Sequence, residues 1–448
     1  MPPKRRPHRF NDGVAARGKW VGKTMELVYK EKEEKLNGRV TKPPEITDRA
    51  TGTLVTESSK SPSESQTDIA RPRDELESNA SQFLAVAFHS RASSFKNNEE
   101  LLSFTNAILF QPVPDSISRG DRNLLLHFSE HIANEMIAFD GFHNGWRHLV
   151  LPLAQTDDLV VNAVLATAAA HQRLNQLSNN KLQTNMYTLW HPKSSQLYAR
   201  AIRGLQQRQE LVHGDQSSKY SILVTILVLL TAVMVTGCSD FPVLFRMLES
   251  AVTAMGGIDG LGDGELTDFI MRQVHKMRVY AAPLLCEQTG VEIISSQKQT
   301  AQLFDCLNYS TRQYPDQAWV LSNVSEVVDQ ARDIYLHQVF LDPQSSSSLD
   351  TAAGINSISR VQRFKESLEA FPLDSPGQKV LVWATFVAAS DCKLEEHKVF
   401  FEGVLMRHFA RSGFGNVLKG VESLRQIWKR RPGERWTSLL PEAKVLVM

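Results

Sequence analysis

The sequence predicts an all-α fold, an irregular multi-helix array that follows a basic, disordered N-terminal tail. Three observations predict it. From residue 121 onward apolar side chains recur at the helical period. Strand-type alternation is scarce throughout. The first 80 residues hold too few large apolar side chains to offset the entropy of ordering them. At 448 residues, 42% hydrophobic and 22% charged, the chain can bury one large helical core or two smaller ones.

Net charge is +1, so no global field steers partners. The distribution is uneven. Residues 1–42 carry twelve Lys/Arg against five Asp/Glu, a balance of +7, which leaves −6 for the rest. The cluster Lys4, Arg5, Arg6 and Arg9 suits a nuclear localisation signal or phosphate contacts on DNA. A solvated, disordered terminus accounts for it equally well. Residues 20–36 can form a short charged helix, and a Ser/Thr-rich stretch follows in which Ser59, Ser61 and Ser63 are open to phosphorylation. Residues 81–120 are transitional, with apolar runs broken at Pro112 and Pro114.

The helical body spans 121–448. Its first helix places Leu124, Leu125, Phe128, Ile132, Met136 and Phe139 on one side. Residues 146–149 open a short helix that Pro152 stops. Residues 156–173 begin with a Thr/Asp cap and acids in the first turn, and their alanines let neighbouring helices approach closely. Further helices are expected at about 187–210, 218–236, 241–255, 265–280, 322–341, 377–390, 395–410 and 415–430. In the last, Val417, Leu418, Val421, Leu424, Ile427 and Trp428 form a stripe, Asn416 can cap it, and Pro432-Gly433 stop it. Residues 344–356 read as a polar, disordered loop. No repeat of fixed period occurs.

One segment is apolar enough to raise the question of a membrane. Residues 221–238 run 18 positions without a charge, against roughly 20 for a spanning helix. The segment stands alone and carries Thr225, Thr231 and Thr236, so a buried core helix is expected and no membrane partner.

Motifs for chemistry are few. His127-Phe-Ser-Glu130-His131 matches H-x-x-E-H, which can set two imidazoles on one helix face. No third ligand stands out, and polar residues on the outer face of an amphipathic helix explain the pattern. The Gly-rich stretch 254–265 has neither the dinucleotide fingerprint nor calcium-loop spacing, and reads as a helix end followed by a turn. Cys238, Cys286, Cys306 and Cys392 contain no CxxC pair, which points to reduced, buried thiols. P-loop and serine-hydrolase motifs are missing. These absences favour a non-enzyme without cofactor or metal.

Three stretches together carry a resemblance. Residues 124–172 give a helix, an aromatic/Asn turn, an Arg-bearing short helix and an alanine-rich helix ending in AAH. Residues 221–261 give two apolar helices separated by a short polar break, then a Gly-rich loop. Residues 382–431 carry W-x-x-F-x-A, a G-x-G-N turn and a final helix with Ile427-Trp428 before basic residues, with Trp436 beyond. In this order they resemble the fungal-specific transcription factor domain found downstream of a binuclear zinc cluster. The likeness covers about 121–448.

The resemblance implies a nuclear regulator of transcription, with some members controlling metabolic or secondary-metabolite gene clusters. It implies contact with DNA directly or through a partner factor, contact with the transcription machinery, a small-molecule effector, and homo- or heterodimerisation. The family's zinc cluster uses six cysteines near the N-terminus, whereas no cysteine precedes Cys238 in this sequence, so no zinc ligand carries over. A missing upstream exon, a DNA-binding partner, or lost DNA contact would each account for that. A helical small-molecule-binding protein or enzyme, and an interaction scaffold, are the other readings.

Overall fold

A computed structural model describes residues 118–179, 192–208, 215–257, 259–340, 352–371, 375–431 and 433–447. The chain divides into two units, 1–95 and 96–448, and every described residue lies in the second. The tail, the transitional segment and Lys4, Arg5, Arg6 and Arg9 lie outside the described residues. Among those described, every regular element is helical.

Helix α1 (Arg119–His127) starts at Ser118, whose hydroxyl accepts the Asp121 N–H at 3.2 Å. The long helix expected here does not continue as one. It widens to a π-turn at Phe128–Ile132 and tightens to a 3₁₀ turn at Ala133–Met136. The apolar side nevertheless stays buried from Leu124 to Phe139. Helix α2 (Gly145–His148) is capped by Asn144. Pro152 does not end the next segment. It sits in the first turn of α3 (Val150–Thr156), where a missing N–H costs no helical bond.

Helix α4 (Asp158–Asn179) takes its cap from Asp157, not Thr156, whose carboxylate accepts the Leu159 N–H at 2.8 Å. The same carboxylate is forked by Arg208 at 2.7 and 3.0 Å, which fixes the end of α5 (Pro192–Gln207) beside the start of α4. Helix α6 (Gln216–Thr236) begins at Asp215 and ends on Gly237, whose φ of +67° gives the left-handed cap.

Helix α6 is the axis of the core. Every residue from Ser221 to Thr236 is buried, with α4, α7 (Phe241–Ala254), α8 (Glu265–Leu285) and α16 (Gly415–Ile427) packed around it. The length and hydropathy would suit a membrane span, but 89% of the 18-residue window is buried against protein. The contact with α4 is close because Ala163, Ala166 and Ala170 face inward, and Thr167 reaches the α6 carbonyl of Val228 at 3.4 Å. Each fully buried Leu of α6 contributes about 1.5–3 kcal/mol of burial.

Three short helices follow that periodicity did not single out: α9 (Glu287–Ser295), α10 (Gln297–Leu303) and α11 (Asp305–Gln313). Helix α12 (Ala318–Phe340) packs on α13 (Ala352–Glu369), so residues 352–356 belong to a helix and not to the expected loop. Helices α14 (Val382–Ser390), α15 (Glu395–Ser412), α16 and α17 (Trp436–Leu439) close the C-terminal half. Asn416 does not cap α16. It lies inside the helix and donates to the Leu446 carbonyl at 2.8 Å, holding the last residues in place.

Candidate functional site

The helices leave a mainly apolar cavity among the described residues. It is partly open, with about 90 Å³ of space for water-sized molecules, and lies between α8, α11 and α12 on one side and the 135–146 segment and the α15–α16 junction on the other. Its walls are mainly apolar, with Trp146, Met234, Phe269, Val324, Val328 and Phe414 among them. An apolar lining with a few convergent polar groups is the kind found at small-molecule sites.

Local packing forms the space. Gly145 lies under the Phe269 ring, where a Cβ would come within 2.4 Å of Cδ2. That lets Phe269 meet Trp146 edge-on at 5.4 Å. The adjoining turn is held by buried Asn144, which caps α2 and donates to the Ala133 carbonyl and to Asp140, each at 2.9 Å. Arg147 completes the turn through Asp140 at 2.6 Å and the Ser129 carbonyl at 2.9 Å. The aromatic/Asn turn and the Arg-bearing short helix therefore build one wall.

Beside it on the same side lies the α15–α16 turn. Gly413 has φ +68°, and a Cβ there would come within 2.2 Å of Asn175 Oδ1. The carbonyl of Ser412 pairs with His171 Nε2 at 2.7 Å, and His171 Nδ1 pairs with His127 Nε2 at 2.8 Å. A chain of two imidazoles thus joins α1 and α4 to the cavity rim. Burial, then His171 and His131, push the His127 pKa down to about 3, and burial also lowers that of His171. Both rings are neutral at neutral pH, as hydrogen-bond relays require.

The polar lining is unbalanced. Arg272, Gln273, Lys276 and Tyr280 project from α8, and Cys306, Tyr309 and Ser310 from α11. Lys379 and Arg411 add two cations at the rim, and Glu135 is the one carboxylate. Glu135 is already paired with Arg411 at 3.0 Å, and Lys379 bonds to Asn134. Arg272 and Lys276 have no carboxylate partner among the described residues. Arg272 lies flat over the Tyr309 ring, 3.9 Å from its centroid. Lys276 is half-buried, and burial lowers its pKa while the Cys306 sulfur opposes that. Buried donors and acceptors lack partners too, at Trp146 Nε1 and Gln273 Oε1.

The residues singled out in sequence fare differently. In the H-x-x-E-H stretch, His127 is not on an outer face but turns toward His171, while His131 remains exposed. Among the described residues no group of three or more His, Cys, Asp or Glu could hold a metal. The cysteines are free and scattered, and Cys286 is exposed and not buried as expected. A zinc cluster does not fit the described residues. The Gly-rich stretch is the expected helix end and turn, with positive φ at Gly256, Gly257, Gly262 and Gly264. The cavity residues were missed. Arg272 and Lys276, one turn apart in an amphipathic helix, read in sequence as ordinary surface cations.

A model of the fungal specific transcription factor domain matches the chain over residues 123–282 and 292–448. The match takes in both cavity walls, α8 and the α15–α16 junction. No curated protein and no solved structure matches the chain.

Proposed function

The chain belongs to the family of the fungal specific transcription factor domain, and from that premise we propose that it is a nuclear transcriptional regulator whose helical domain reads a small-molecule effector in the α8–α11 cavity. The family is one of transcriptional regulators and not of enzymes. The finer reading is control of a metabolic or secondary-metabolite gene cluster. Contact with DNA is made directly or through a partner factor, and the transcription machinery and a second copy or related chain are the expected partners. The basic cluster at Lys4, Arg5, Arg6 and Arg9 serves import or phosphate contact.

The observation that carries the effector role is where the cavity lies. Its lining comes from both ends of the matched domain, so occupancy bears on how the 135–146 segment and the α15–α16 junction pack together. A ligand that fits one arrangement better than another shifts the population by its difference in affinity. The test is in cells. Tagged protein is expected in the nucleus, and deletion is expected to change a defined transcript set. Cytosolic residence with an unchanged transcriptome overturns the proposal.

A further inference from the structure

The effector is further specified by the charge that the cavity lacks. We propose that the α8–α11 cavity binds a small organic anion, an apolar ring or chain bearing an acidic oxygen group that pairs with Lys276 and Arg272. This rests on the cavity being a ligand site, as proposed above.

Four cations line the space against one carboxylate, Glu135. Arg411 and Lys379 are engaged at the rim with Glu135 and Asn134. That leaves Arg272 and Lys276, successive turns of α8, lining the cavity without forming an ion pair among the described residues. Both are half-buried, and a cation partly withdrawn from water is stabilised by an anionic partner. The stack on Tyr309 orients Arg272 but leaves its N–H groups unmatched by any anion. The indole N–H of buried Trp146 is a further donor with no acceptor. Among the described residues that line the cavity, Gln273 Oε1 is a buried acceptor without a partner. The remaining walls, from Phe269, Leu307, Val324, Val328 and Phe414, offer only apolar surface. An anionic head on an apolar body matches both parts.

Two fluorescent probes separate the contributions. 8-Anilinonaphthalene-1-sulfonate is an apolar anion, and N-phenyl-1-naphthylamine is nearly the same body without the charge. With the full chain, the sulfonate is expected to bind at least about tenfold more tightly than the neutral amine, with each displacing the other. Lys276→Met is expected to weaken the sulfonate by about tenfold or more and to leave the amine within about twofold, and Lys276→Arg to restore most of the loss. Unchanged thermal unfolding in Lys276→Arg guards against misfolding. Equal binding of both probes, or sulfonate binding indifferent to Lys276→Met, overturns the anion assignment while leaving an apolar ligand site. Binding of neither probe overturns the cavity as a ligand site altogether.

Discussion

The indole Nε1 of Trp436 donates to Asp391 Oδ1 at 2.9 Å, across 45 residues of sequence. Both groups are buried, and Ser357 donates to the other carboxylate oxygen. This one carboxylate therefore gathers α13, the end of α14 and the start of α17. Burial pushes the Asp391 carboxyl up, and its hydrogen-bond donors with nearby Arg430 and Lys393 oppose that. Asp391→Ala strands two buried donors and is expected to cost roughly 2–4 kcal/mol. Asp391→Asn keeps an acceptor for Trp436 and should cost less. Urea unfolding of both variants checks this, and equal losses would contradict the acceptor role.

The His127–His171 relay makes stability depend on acid. The ordinary histidine value is 6.5, and His127 is held down to about 3. Between those values the unfolded chain binds a proton that the folded chain refuses. Stability is therefore full above pH 6.5 and falls as pH falls toward 3. His408, held at about 3, and His143, held at about 4, act in the same direction. Each such group contributes up to roughly 1.4 kcal/mol per pH unit within its window. The urea midpoint should drop from pH 7 to pH 5, and His127→Gln should flatten that slope. A midpoint that does not move would count against the relay.

Gly413 tests the cavity rim. Its φ of +68° and the nearness of Asn175 leave no room for a side chain. Gly413→Ala is expected to cost roughly 1–3 kcal/mol and to disturb the Ser412–His171 contact. Gly257 has φ +78° but nothing within 4 Å of a Cβ, so Gly257→Ala should cost only about 1 kcal/mol. Thermal melts of the pair should differ, and matching melts would mean that the close approach to Asn175 carries no weight.

Much of this architecture is legible in the sequence. The uncharged run of α6 and the stripe of α16 stand out because burial leaves an unmistakable apolar period. The short helices from Glu287 to Gln313 do not, because each buries only a few side chains and the rest are polar. The site was the least legible part. His127 and His171 meet across 44 residues, and Lys276 gains its meaning only when α11 covers it. A local window sees spacing along one helix and not the helix laid over it.

Helix α6 should behave as core and not as lipid-facing surface. Leu230 is fully buried, so Leu230→Ala is expected to cost roughly 2–5 kcal/mol, with a cavity left behind. The full chain should stay in aqueous buffer without detergent. A negligible loss of stability in Leu230→Ala would mean that this face of α6 is not packed against protein.

Lys276 should show the opposite behaviour to a structural residue. Half-buried and without an ion-pair partner, its charge opposes folding, and burial lowers its pKa. Lys276→Met keeps most of the length of the side chain and removes the charge. It is expected to raise the melting temperature by about 1–2 °C for each kcal/mol recovered, while anion binding is lost. A surface lysine replaced by methionine gives no such gain, and a lysine bound to a hidden carboxylate gives a loss. Calorimetry of wild type and variant without ligand therefore decides between these cases. A lower melting temperature in Lys276→Met would mean that the lysine already has its counter-charge, and that the cavity holds no vacant place for an anion.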